Sequence, residues 1–83
     1  MNMKKHEIKI APIPYEQVKA GTKTFEIRLN DRDYQKGDRV RMRWYDFGSY
    51  NDWKPDIYAT IGDVYPIDAE RVVFSIIKSE FDV

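Results

Sequence analysis

The sequence predicts a mostly β domain of the α+β class, a small five-stranded barrel with one short helix after the first strand. Three observations carry this. Five segments alternate apolar and polar residues with period two, at about residues 6–11, 23–29, 39–45, 56–66 and 72–77. Only one stretch has helical spacing, and prolines and a glycine bracket it. The chain has 83 residues, which makes one domain (1–83) with too few strands for an open sandwich, so a twisted sheet curled on itself is the economical solution.

The elements follow in order. His6-Glu7-Ile8-Lys9-Ile10-Ala11 reads as a half-buried first strand, ended by Pro12 and Pro14, which cannot donate to a ladder. Pro14 suits the first turn of a helix over about 14–20, with Tyr15 and Val18 on one side and Gly21 as its left-handed stop. A second strand over 23–29 sets Phe25, Ile27 and Leu29 against Thr24, Glu26 and Arg28. The expectation is that the first three face the core. Asn30-Asp31-Arg32-Asp33 and Tyr34-Gln35-Lys36-Gly37-Asp38 have turn composition. In the third strand, Val40, Met42 and Trp44 oppose Arg39, Arg41, Arg43 and Tyr45. Residues 46–55 show no period and read as a long polar and aromatic connection. Ile57, Ala59 and Ile61 mark a fourth strand, with a bend or bulge at Gly62. After the turn Pro66-Ile67-Asp68-Ala69, Val72–Ile77 is apolar on both faces, as in a central or barrel-closing strand, and 79–83 should fray. The expected core comprises Phe25, Ile27, Val40, Met42, Trp44, Ile57, Ile61, Phe74 and Ile76.

Composition narrows the chemistry. The absence of cysteine excludes disulfides, thiolate nucleophiles and thiolate metal sites. No phosphate-cradling glycine loop or dinucleotide fingerprint is present, and the single histidine, His6, supports neither a histidine metal site nor a Ser-His-Asp triad. No cofactor is expected. No long apolar stretch follows the basic N-terminus, so no membrane association and a cytoplasmic location are expected. The net charge of zero hides an asymmetry: residues 1–45 hold eleven Lys/Arg against six Asp/Glu, whereas 46–83 hold three against eight. A basic half attracts phosphate; alternatively, the halves pair within the fold.

What remains for function is Lys23, Glu26 and Arg28, with Thr24 beside them. On one polar strand face they form either a pocket for phosphate, carbonyl and amino groups, a proton-transfer site, or a structural ion network. Arg41 and Arg43 add a basic face that is either a ligand surface or an exterior paired with neighbouring carboxylates. Tyr50 and Trp53 either stack on a base or cap the sheet.

Gly21-x-Lys23-x-x-Glu26-x-Arg28 resembles the signature of the ASCH domain, a small β-barrel family related to the PUA RNA-binding domain. The flanking His6–Ile10, Asn30–Tyr34 and Gly37-Asp38 segments resemble an ASCH-like subfamily of phages and prophages with no assigned function. The resemblance implies a cleft between helix and barrel, lined by Lys23, Glu26 and Arg28, that binds RNA or a nucleotide-like ligand. One ASCH branch hydrolyses acetylated cytidine compounds with a Lys, a Thr and a distant Glu. By that resemblance Lys23 matches, Glu26 stands at the Thr position, Thr24 lies out of register, and the segment bearing the distant Glu is missing. The resemblance thus favours a nucleic-acid or nucleotide binder, with a small amidohydrolase (Lys23, Thr24, Glu26) or a phage-encoded module for a host protein as alternatives.

Overall fold

The computed structural model describes residues 3–79 and is mostly β with one short helix. Strand β1 (Lys5–Ile10) leads through Ala11 into α1 (Pro12–Ala20). The helix starts two residues earlier than expected because Pro12 as well as Pro14 is accommodated in its first turn. Tyr15 and Val18 are buried on its inner side, and Gly21 ends it at φ 82°, where its N–H and that of Thr22 reach the carbonyls of Val18 and Gln17. There follow β2 (Phe25–Leu29), β3 (Arg39–Asp46), β4 (Ser49–Tyr50), β5 (Ile57–Pro66) and β6 (Arg71–Lys78).

Among the described residues the sheet has six strands rather than five, and it does not close into a barrel. The extra strand lies in the supposedly irregular 46–55 connection. Phe47 and Gly48, both at positive φ, make a tight turn that pairs Tyr45 with Tyr50 and Asp46 with Ser49. The strand order is β1-β3-β5-β6-β2, with β4 hung on β3, so β1 and β2 are the two edges. β1 runs parallel to β3 and all other pairs are antiparallel.

Closure fails because side chains take the place of a ladder. Arg39 N donates to Lys4 O at 2.9 Å, so β1 aims the backbone groups of its even-numbered residues at β3 and those of Glu7 and Lys9 at its outer edge. There Arg28 Nη2 donates to Lys9 O at 2.8 Å, and Arg32 Nη1 donates to Glu7 O. Two guanidinium groups thereby satisfy edge carbonyls that a closed barrel would pair with backbone.

The facing of β2 is the reverse of the expectation. Phe25, Ile27 and Leu29 are 44%, 51% and 55% exposed, while Glu26 is 3% exposed. Register explains it. Directly opposed residues of an antiparallel pair share a face, and Glu26 sits opposite Phe74 and Arg28 opposite Val72. Both β6 partners are core residues. Ile76 N to Thr24 O at one end and Asn30 N to Glu70 O at the other lock this register, and a one-residue slip would be needed to turn the apolar residues inward.

The core is otherwise built from the expected strands. Val40, Met42, Ile57, Ala59, Ile61, Phe74 and Ile76 are buried and Trp44 packs against them half-buried, with Ile8, Ile10, Tyr15, Val18, Tyr34 and Val72 completing the cluster. Tyr34, assigned to a turn, is pinned inside by its ring contacts to Phe74 and His6. The expected irregularity at Gly62 is present as a register shift between Ile61 and Val64. A side chain at Gly62 would strike Ser75 Oγ, which instead accepts from Asp63 N. β6 lies between β5 and β2 but is covered on one face only: Val72, Phe74 and Ile76 point inward, while Ile77 is exposed. Of the segment expected to fray, Ser79 donates its N–H to Tyr58 O, and residues 80–83 lie outside those described.

His6, the lone histidine, has a structural role. Its Nε2 lies 2.8 Å from Asp38 Oδ2, and both side chains are buried. An ionised carboxylate only accepts, so this ring nitrogen carries the proton. Burial acts to raise the Asp38 carboxyl, but hydrogen bonds from His6, Lys4 N and Gln35 N outweigh it and hold the carboxyl below its ordinary 3.8. A carboxyl with a depressed folded-state pKa contributes stability that is present above its unfolded value and lost as pH falls through the folded one. Unfolding free energy measured by urea titration should therefore decline below about pH 4. Asp38→Asn should flatten this acid limb while lowering stability at pH 7. An unchanged acid limb in that variant would show that other carboxylates carry it.

Candidate functional site

The open edge between β1 and β2 makes a cleft of about 920 Å³, lined by Glu7–Ala11, Pro14 of α1, Lys23, Glu26–Leu29, Asp31, Arg32, Tyr34, Tyr50 and Arg71. Its floor is the Glu26 carboxylate. Lys23 Nζ donates to Oε1 at 2.5 Å and Arg28 Nε to Oε2 at 2.9 Å. A buried carboxylate is costly unless it is paired and hydrogen-bonded, and here both oxygens are taken. The geometry follows from the Gly21 stop, which places Lys23 at the entrance to β2, and from the two-residue strand period, which sets Glu26 and Arg28 on one face. Lys23 and Arg28 are about one-quarter exposed, so their remaining N–H groups line the cleft.

Tyr34 forms part of the cleft wall. Burial raises its phenol above 10.0, partly offset by Arg32 and Arg28, so the hydroxyl is a proton donor at neutral pH. The sequence assigned Tyr34 to a turn and Arg32 no role. The only signal for either was proximity to the Lys23–Arg28 segment, which does not specify direction. Arg32 and Arg71 stand at the mouth, although Arg71 is bonded to Asp68.

The remaining candidate residues divide. Tyr50 lies on the rim, edge-on to Tyr45 at 5.1 Å, with the Arg43 guanidinium over its face at 3.9 Å and Lys9 over Tyr45 at 4.4 Å. Trp53 is 93% exposed and does not line the cleft, and Thr24 is exposed and outside it. Arg41 and Arg43 lie outside the cleft, on the outer face of β3. Arg41 Nε donates to Asp56 at 2.6 Å and Nη1 to Glu7 at 3.4 Å; Arg43 pairs with Glu7 at 3.3 Å and with Asp56 at 3.6 Å. The first half's excess of positive charge is thus met partly by acids of the second half, as it is again where Lys36 meets Asp63. Among the described residues no group of three or more His, Asp or Glu is arranged to hold a metal, and no helix is long and apolar enough to cross a membrane.

A family model described as a domain of unknown function (DUF3850) matches residues 5–76, and the chain belongs to that family. No curated protein matches the chain. The matched span contains β1, the cleft, its arginine bridges and all but the last two residues of β6.

Proposed function

We propose that this family member is an ASCH-type, PUA-like binding domain that takes one nucleotide unit of single-stranded RNA, or a nucleotide-like ligand, in the β1–β2 cleft. The observation that carries this reading is the buried Glu26 carboxylate holding Lys23 and Arg28 on the wall of a ligand-sized cavity. Glu26 fixes the two cations in place, and their free N–H groups then meet phosphate or base carbonyl oxygens without a further ordering cost. Tyr34 offers a hydroxyl, and the Tyr50 ring on the rim offers a stacking face.

Hydrolysis fits these positions less well. A lysine donating to a carboxylate is an anion-binding cation, not a free amine, and Thr24 brings no hydroxyl into the cleft. The test is fluorescence anisotropy with a labelled single-stranded RNA, with the matching DNA and free nucleotides as competitors. Two or three phosphate contacts predict affinity falling about tenfold from 50 to 200 mM salt. Lys23→Ala should abolish binding with the circular dichroism unchanged. A flat salt response, or binding indifferent to Lys23→Ala, removes the reading. Turnover of acetylated cytidine that Lys23→Ala abolishes replaces it with the amidohydrolase.

A further inference from the structure

We infer that the outer face of β2, β6 and β5 is where a second copy of this chain docks, forming a two-fold dimer by sheet-on-sheet packing. The inverted β2 leaves Phe25, Ile27 and Leu29 outside, and β6 and β5 add Val73, Ile77 and Tyr65 to the same face. Ile27, Val73 and Tyr65 are directly paired across the three strands, so they form one apolar row perpendicular to the strand direction. All but the half-buried Val73 are between 44% and 63% exposed. Together these side chains leave on the order of 600 Å² uncovered, the upper end for a monomer's largest apolar patch and close to what one partner contributes to a stable interface.

The surroundings favour a second copy over other occupants. The charged groups at the strand ends are already engaged, Lys23 with Glu26, Lys78 with the Lys19 carbonyl and Asp68 with Arg71, so the patch asks for an apolar, uncharged counterpart such as its own copy. A two-fold axis parallel to the central row brings Ile27, Val73 and Tyr65 against themselves. Two inner faces packed this way lie about 10 Å apart, as in sandwiches. The formal net charge is zero, so no long-range repulsion opposes association. A lipid surface would instead call for basic residues around the whole rim.

Sedimentation velocity on the 83-residue chain, with no cleft ligand added, tests this. The expected species has twice the 9.9 kDa chain mass. Ile27→Lys and Ile27→Glu should each dissociate it at least about tenfold more readily. Because Ile27 faces Ile27 across the axis, mixing the two variants should restore a dimer. Ile27 is half-exposed, so both variants should keep the wild-type circular dichroism. A wild-type chain that stays at 9.9 kDa at several hundred micromolar overturns the inference. So does a dimer that both variants leave intact, or a mixture that stays monomeric.

Discussion

Phe74→Ala is expected to leave this domain largely unfolded at 37 °C. Phe74 is fully buried, touches the Tyr34 ring at 4.8 Å, and sits where β6 meets both β5 and β2. Phe→Ala in a core costs about 3–5 kcal/mol through lost transfer energy and the remaining cavity. A chain of this length has about 5 kcal/mol in total to lose. Chemical denaturation should show the midpoint falling by more than half, or no cooperative transition at all. Since Glu26 lies opposite Phe74, the same variant should loosen the cleft floor, so amide exchange in β2 should rise with that in β6. A midpoint within the error of wild type would mean that the Phe74 position is not the centre of the core.

Glu26→Ala carries the second-largest effect, through charge instead of volume. Removing the carboxylate leaves Lys23 and Arg28 facing each other across the cleft floor, each about three-quarters buried, with no counter-charge. Deleting one member of a buried ion network costs about 3–5 kcal/mol when the surviving charge is fully buried, and partial exposure here reduces that to about 2–3. For a domain of this size that is a fall in Tm of roughly 10–20 °C. The particular signature is rescue: tens of millimolar phosphate should recover part of the loss, because an anion in the cleft replaces the missing carboxylate. Glu26→Gln, which keeps one acceptor, should lie between. A Glu26→Ala protein that melts like wild type, or one indifferent to phosphate against a zwitterionic buffer, would show that the Lys23–Glu26–Arg28 network neither supports the fold nor forms an anion site.

Much of this could be read from residue order. The Pro-bracketed helix with Tyr15 and Val18 inward, the Gly21 stop, the apolar faces of β3 and β5, and the irregularity at Gly62 all follow from local preferences that tertiary contacts reinforce. Lys23, Glu26 and Arg28 were legible as one polar group because strand period alone puts Glu26 and Arg28 on the same side and Lys23 at the entrance. Tyr34 was not legible as core: a tyrosine inside a turn-forming segment is buried only because His6 and Phe74, distant in sequence, supply its walls.

The sequence by itself determined which residues share a strand face, where the helix stops, and which chemistries are excluded. It could not determine which face of β2 points inward. Alternation defines two faces and assigns neither to the core, and the usual assumption that the apolar one is buried failed here. β6 holds β2 in a register that opposes Glu26 to Phe74, and Lys23 and Arg28 offset the burial of the carboxylate. Nor could it decide closure. Whether β1 and β2 meet as a ladder or leave a cleft depends on Arg28 and Arg32 reaching the carbonyls of Lys9 and Glu7, contacts between residues 19 and 25 positions apart. Periodicity is a property of neighbours, whereas register, facing and closure are settled by partners that only the folded chain brings together.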